Sequence, residues 1–154
     1  MNSKVRTMHY PNAISGNAAL ALYNHLKDTI VWDDGIPSKH GFTRKAKALN
    51  IIQDDFIAPI IQSAINICDI THLQLVGCYL NYYRNGNDYT PNHSHKDTVQ
   101  VIISLGETRT LMVGKKAYTV NNGDVTIFGS SVHGVPKDVA CVNGRISIAL
   151  FLNR

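Results

Sequence analysis

No stretch of this 154-residue chain approaches the roughly 18 consecutive apolar residues of a membrane-spanning helix, so no membrane association is expected. The opening residues, MNSKVRTMHYPN, lack the apolar centre of a secretory signal, which makes a cytoplasmic setting the expectation. Cysteine is scarce and odd in number. Cys68, Cys78 and Cys141 are widely spaced in apolar surroundings, which argues against a disulfide or zinc framework and for reduced core residues. Acid is also in short supply: 11 Asp and Glu against 15 Lys and Arg give a formal charge of +4, which favours an anionic partner. The basic residues form no long run. Their densest cluster, Lys39, Arg44, Lys45 and Lys47 in SKHGFTRKAK, reads from charge alone equally well as a solvated loop. Repeats, low-complexity tracts and linkers are missing as well.

What remains is the composition of a globular protein, 44% hydrophobic and 17% charged, expected to form a single domain over residues 1–154 with a core of its own. From about Gly16 to Ile30, Ala19, Leu20, Leu22, Tyr23, Leu26 and Ile30 recur at spacings of three and four, which predicts an amphipathic helix. The turn residues Asp33, Asp34 and Gly35 lead into a polar, basic stretch to about Leu49. A second helix is expected after Pro59, with Ile60, Ile61, Ala64, Ile65 and Cys68 on one side. From Leu73 the character changes. LQLVGCYLNYY, TVQVIISL, TRTLMV, AYTV, DVTIFG and RISIALFL are strand-like runs, separated by turns such as Asn121-Asn122-Gly123-Asp124 and by a longer loop, GSSVHGVPKD. The fold expected is mainly β with flanking helices: helices and a short lid over residues 1–70, and a small sandwich or barrel over 71–154.

Within NHSHKD, residues His93, His95 and Asp97 sit at every second position, so all three would face one side of an extended strand. His133 lies just after a strand able to pair nearby. Imidazole and carboxylate ligands suit a divalent transition metal such as iron, and three protein ligands leave positions open for substrate and oxygen. A histidine pair alone is commonplace on surface loops; His133 is what favours a metal.

NYYRNGNDYTPNHSHKD, VIISLGETRTL, NGDVTIFGSSVHGVPKD and GRISIALFL together resemble the AlkB family of iron(II)- and 2-oxoglutarate-dependent dioxygenases over about Asn81 to Phe151. The resemblance implies a double-stranded β-helix, a jelly-roll of the cupin kind, with Fe(II) and 2-oxoglutarate as cofactors and molecular oxygen as co-reactant. It implies that Asn81 and Tyr83 hydrogen-bond the cosubstrate and that Arg145 pairs with its far carboxylate, a task suited to the forked guanidinium. Ser147, on the same strand face as Arg145, would assist. Arg145 stands among Ile146, Ile148, Ala149 and Leu150 with no acid beside it, so it needs such a partner.

The chain departs from the family twice. Counted from Gly86, the family's first ligand falls on His93, which puts His95 where an aspartate belongs and gives the set His93, His95 and His133. Sliding two residues gives His95, Asp97 and His133 instead, and in the first register Asp97 becomes a carboxylate able to orient a ligand imidazole. At Phe151 the family carries another arginine; Arg109 or Arg154 are the replacements the sequence offers. The function implied is oxidative demethylation or hydroxylation of a nucleobase in single-stranded DNA or RNA, with Arg44 and Lys45 of the basic lid gripping the phosphate backbone. Two alternatives stay open: hydroxylation of a small metabolite, nucleotide or peptide, and a cupin-like binding module without turnover. Oligomeric state is left undetermined.

Overall fold

The structure is a computed structural model that describes residues 5–39, 41–49 and 54–153. Helix α1 covers Gly16–Thr29 and begins at Ser15, whose hydroxyl accepts a hydrogen bond from the Ala18 N–H at 3.2 Å and so satisfies a donor that the first turn leaves free. Its buried side chains, Ala19, Leu22, Tyr23 and Leu26, follow the expected spacing. Helix α2 covers Ile57–Ile67, starting two residues ahead of Pro59. The reason is Asp54, whose carboxylate accepts from the Phe56 and Ile57 N–H groups at 2.7 and 3.2 Å, while Pro59 sits harmlessly in the first turn.

Thirteen strands follow among the described residues: β1 (Met8–Tyr10), β2 (Asp33–Asp34), β3 (Pro37–Ser38), β4 (Gly41–Phe42), β5 (Lys45–Leu49), β6 (Gln74–Tyr83), β7 (Thr90–His93), β8 (Val99–Gly106), β9 (Arg109–Val113), β10 (Lys116–Val120), β11 (Val125–Phe128), β12 (His133–Val135) and β13 (Arg145–Asn153). The larger sheet has the order β1-β11-β8-β13-β6-β5-β2, the smaller β10-β9-β12-β7, and β3 and β4 form a separate hairpin. All pairings are antiparallel. The architecture is the expected jelly-roll with two helices.

The larger sheet is covered on both faces. Leu80, Val101, Ile103, Ile146, Ile148 and Leu150 pack with Leu22 and Leu26 of α1 and Ile61 of α2 in one cluster, while Tyr83, Ile102, Phe128 and Ala149 join Leu111, Val113 and Val135 of the smaller sheet in a second. Two-sided burial explains why β8 and β13 read as nearly unbroken apolar runs and why their few polar residues stand out.

Residues 33–39 and 41–49 are not a solvated loop. They form the β3–β4 hairpin and β5, which pairs along β6 from Lys45 opposite Tyr82 to Leu49 opposite Cys78. The KAKAL run does alternate, but lysine and alanine are weak strand formers, and the strand is held through its pairing and through ion pairs of Lys45 with Asp34 and Lys47 with Asp33 at 2.7 and 3.5 Å. The loop expected around GSSVHGVPKD contains β12. Cys68 and Cys78 are buried as expected, whereas Cys141 is only half-buried in a loop, its thiol against the Thr108 carbonyl.

Candidate metal centre

The smaller sheet brings the histidines together by register. His133 on β12 stands directly opposite His93, the last residue of β7, and opposite side chains in an antiparallel pair project to the same face. His95 lies two residues beyond the strand end. Ring centroids are 4.3 Å apart for His93 and His133, 4.9 Å for His93 and His95, and 5.7 Å for His95 and His133. Each residue offers a ring nitrogen within 4.8 Å of the others, and among the described residues this is the one such group of three.

The tautomers suit ligation. Nδ1 of His93 lies 2.8 Å from the Pro91 carbonyl and Nδ1 of His133 lies 2.9 Å from the Ser131 carbonyl. A carbonyl only accepts, so each Nδ1 carries the proton and each Nε2 keeps a free lone pair. Burial pushes the His133 pKa down to about 4, and burial followed by the neighbouring His93 lowers that of His95. Both rings are therefore neutral near pH 7, the form that binds metal.

Asp97 does not join them. The chain turns at Lys96–Asp97, where Asp97 takes a left-handed φ of 59°, and its side chain is exposed outside the histidine group. Extension, on which the same-side expectation rested, ends before it. The arrangement brought together is the three-imidazole one.

Beside the histidines lies a cavity of about 280 Å³, walled by the inner faces of both sheets. Asn81, Tyr83, Arg145 and Ser147 all line it. So does Arg44, which is 5% exposed; its Nε donates to Asn81 Oδ1 at 2.6 Å and its Nη1 to Thr43 Oγ1 at 2.9 Å. Arg44 is thus a wall residue and not a surface grip on phosphate, and Lys45 is occupied by Asp34. The Tyr83 hydroxyl is 2.6 Å from Thr90 Oγ1, and the Asn81 amide donates to Ser147 at 3.4 Å.

Arg145 is 1% exposed, and its Nη2 donates to Ser104 Oγ at 3.0 Å. Its Nε and Nη1 have no partner among the described residues. Burial lowers its pKa, which marks how poorly the protein alone compensates this charge. Among the described residues no acid lines the cavity; two guanidinium groups do. Such a wall fits a small dianion, one end on Arg145 and the other by the histidines.

Phe151 fills the position where an arginine was expected, its ring 5.1 Å from that of His95. Arg109 does not replace it: Arg109 stays out of the cavity and donates to the Asn85, Asp88 and Pro136 carbonyls, tying the loops together. Arg154 lies outside the described residues. Sequence reasoning missed Phe128, whose ring is 4.6 Å from that of His133, and Gln100, a buried amide in the cavity wall. The signal for Gln100 was there, a single amide inside the apolar run TVQVIISL.

Neither a family model nor a curated protein matches this sequence. Solved structures match the fold. HygX from Streptomyces hygroscopicus, solved with nickel and 2-oxoglutarate bound, gives a TM-score of 0.75 at 9% identity over 96% of this chain and 82% of its own. The viral collagen prolyl hydroxylase vCPH from Paramecium Bursaria Chlorella virus-1, solved as its 2OG complex, gives 0.70 at 10% identity over 97% and 96%. SnoN, a non-heme alpha ketoglutarate dependent epimerase from nogalamycin biosynthesis, gives 0.74 at 14% identity over 96% and 76%. The chain has the jelly-roll fold of these oxygenases.

Proposed function

We propose that the protein is an Fe(II)- and 2-oxoglutarate-dependent oxygenase whose metal is held by His93, His95 and His133. One observation carries the reading: three imidazoles converge at a cavity that also holds a buried guanidinium with two donor nitrogens unused. Two of the similar structures, HygX with nickel and 2-oxoglutarate bound and vCPH as its 2OG complex, support it.

In this reading the carbonyls of Pro91 and Ser131 fix two of the ligand rings, and Arg145 donates through Nε and Nη1 to the far carboxylate of 2-oxoglutarate. When bound, iron and 2-oxoglutarate supply, with oxygen and with loss of carbon dioxide to leave succinate, an oxidant able to hydroxylate a C–H bond. The apolar walls, including Ile102, Leu111, Val135 and Ala149, exclude water from that reaction. Asn81, held by Arg44, and Tyr83, held by Thr90, present fixed polar groups to the bound molecules.

For the substrate we carry forward an N-methylated nucleobase in single-stranded nucleic acid, in keeping with the AlkB-like residues. A groove lined by Lys39, Phe42, Tyr89 and Lys137 supports it, with Lys137 over the Tyr89 ring and with Arg84 on its wall already paired with Asp88. Cations beside aromatic faces suit a single strand, and the β3–β4 hairpin that contributes Phe42 follows Ile36 of the cavity wall. Demethylation of the hydroxymethyl product would release formaldehyde.

The test is oxygen-dependent formation of succinate from 2-oxoglutarate by the iron-loaded protein, alone and with methylated single-stranded oligonucleotides, peptides and small metabolites. Succinate with formaldehyde from the methylated oligonucleotide is expected. Succinate that only a peptide or metabolite stimulates ends the nucleobase reading, and no succinate under any condition ends the oxygenase reading.

A further inference from the structure

The polar groups around the histidines are not all explained by metal and far-carboxylate binding. Gln100 is 1% exposed, lines the cavity, and its Nε2 has no hydrogen-bond partner among the described residues. A buried amide donor left unpaired is costly, so an orphan of this kind signals a partner that the protein itself does not supply.

Its place in the sheet says where that partner sits. Gln100 on β8 stands opposite Phe128 of β11 on one side and opposite Phe151 of β13 on the other. Directly opposed residues share a face, so the amide lies between the two phenylalanines. Those are the rings that touch the ligand histidines, Phe128 against His133 at 4.6 Å and Phe151 against His95 at 5.1 Å. Arg145, by contrast, stands opposite Gly106 at the far end of β8, six residues from Gln100. The cavity therefore has a donor at each end, a guanidinium away from the histidines and a carboxamide beside them. Phe151 and Phe128 bring no hydrogen-bonding group of their own to the metal end.

We propose that Gln100 is a positioning residue whose Nε2 donates to the metal-proximal carboxylate of the bound 2-oxo acid, fixing how that group lies on the metal. This inference rests on the oxygenase reading. A neutral amide is suited to the task, because it holds a carboxylate oxygen without adding a further cation to a cavity already lined by Arg44 and Arg145.

The experiment compares wild type with Gln100→Met, close in shape and without the donor, and Gln100→Glu, which turns a carboxylate toward the dianion. Three quantities are read without turnover: the affinity of the anaerobic Fe(II)-loaded protein for 2-oxoglutarate, the affinity for Fe(II) alone, and the thermal midpoint of the metal-free protein. Gln100→Met should bind 2-oxoglutarate about tenfold or more weakly, with Fe(II) affinity unchanged and the thermal midpoint level or raised, since the orphan donor is gone. Gln100→Glu should bind it more weakly still. Wild-type affinity in Gln100→Met overturns the proposal alone and leaves an amide that meets only water. Loss of Fe(II) affinity or of thermal stability in step with 2-oxoglutarate affinity also overturns it, because the residue is then structural. A wild-type protein that binds Fe(II) but no 2-oxoglutarate overturns the oxygenase reading and this inference together.

Discussion

His133 and Asp97 respond differently to truncation, because only one of them stands in the histidine cluster. His133→Ala should lose tight Fe(II) binding, two ligands remaining of three, whereas Asp97→Ala should bind Fe(II) as wild type; calorimetric titration of both variants separates the outcomes. Arg145→Met should weaken 2-oxoglutarate by about a hundredfold or more while sparing metal, since charge-assisted hydrogen bonds are lost. The same change should raise the stability of the metal-free protein by about 1–3 kcal/mol in urea unfolding, because a buried, poorly compensated charge is replaced by an apolar chain. Burial holds His133 at about 4 against an ordinary value of 6.5. The unfolded chain therefore takes up a proton at a pH where the fold does not. The metal-free protein should keep the full contribution above pH 6.5 and lose it as the pH falls from 6.5 toward about 4, seen as a falling urea midpoint that His133→Gln flattens.

At the scale of elements, the centre depends on β7 and β12, two short strands whose pairing puts His133 opposite His93. Their flanking loops are secured by Arg109, buried and bonded to the carbonyls of Asn85, Asp88 and Pro136. Arg109→Met should destabilise the fold by about 1–3 kcal/mol, read from urea unfolding, since the buried Asp88 carbonyl and two partly buried carbonyls lose their donor. Long elements were legible in the sequence. Helix α1 and strands β6, β8 and β13 declare themselves by apolar periodicity or by unbroken apolar runs, and the histidine pair with His133 was visible as spacing. Short elements were not. Three residues of β12 carry no period, and β5 is built from lysine and alanine, so only its partners β6 and β2 make it a strand. Arg44 was misread for the same reason: its burial against Asn81 follows from tertiary pairing, which local composition does not encode. Asp97 was drawn into the metal set by an alternation that the turn at Lys96 breaks.

Over the whole molecule, the helices seal one face of the large sheet and the small sheet covers the other, so the cavity opens within the second apolar layer and not beneath the helices. Cys68 and Cys78 lie in the first layer, where burial pushes their thiols up to about 11 and about 12. They should resist alkylation at pH 8 in the native state, while Cys141, less buried although burial and Asp138 raise its thiol as well, labels ahead of them; mass spectrometry should find one label first on the folded protein and three in denaturant. The excess of Lys and Arg over Asp and Glu continues inside the cavity, where among the described residues two arginines and three histidines meet no acid, and a metal dication there calls for anionic ligands. The most direct test of that arrangement is a crystal structure of the protein grown anaerobically with Fe(II) and 2-oxoglutarate. One ion on Nε2 of His93 and His133 and a ring nitrogen of His95, at roughly 2.0–2.2 Å, with the dicarboxylate reaching Arg145, is the predicted result. An ion ligated by Asp97, or three imidazoles left apart with no shared ion, would contradict it.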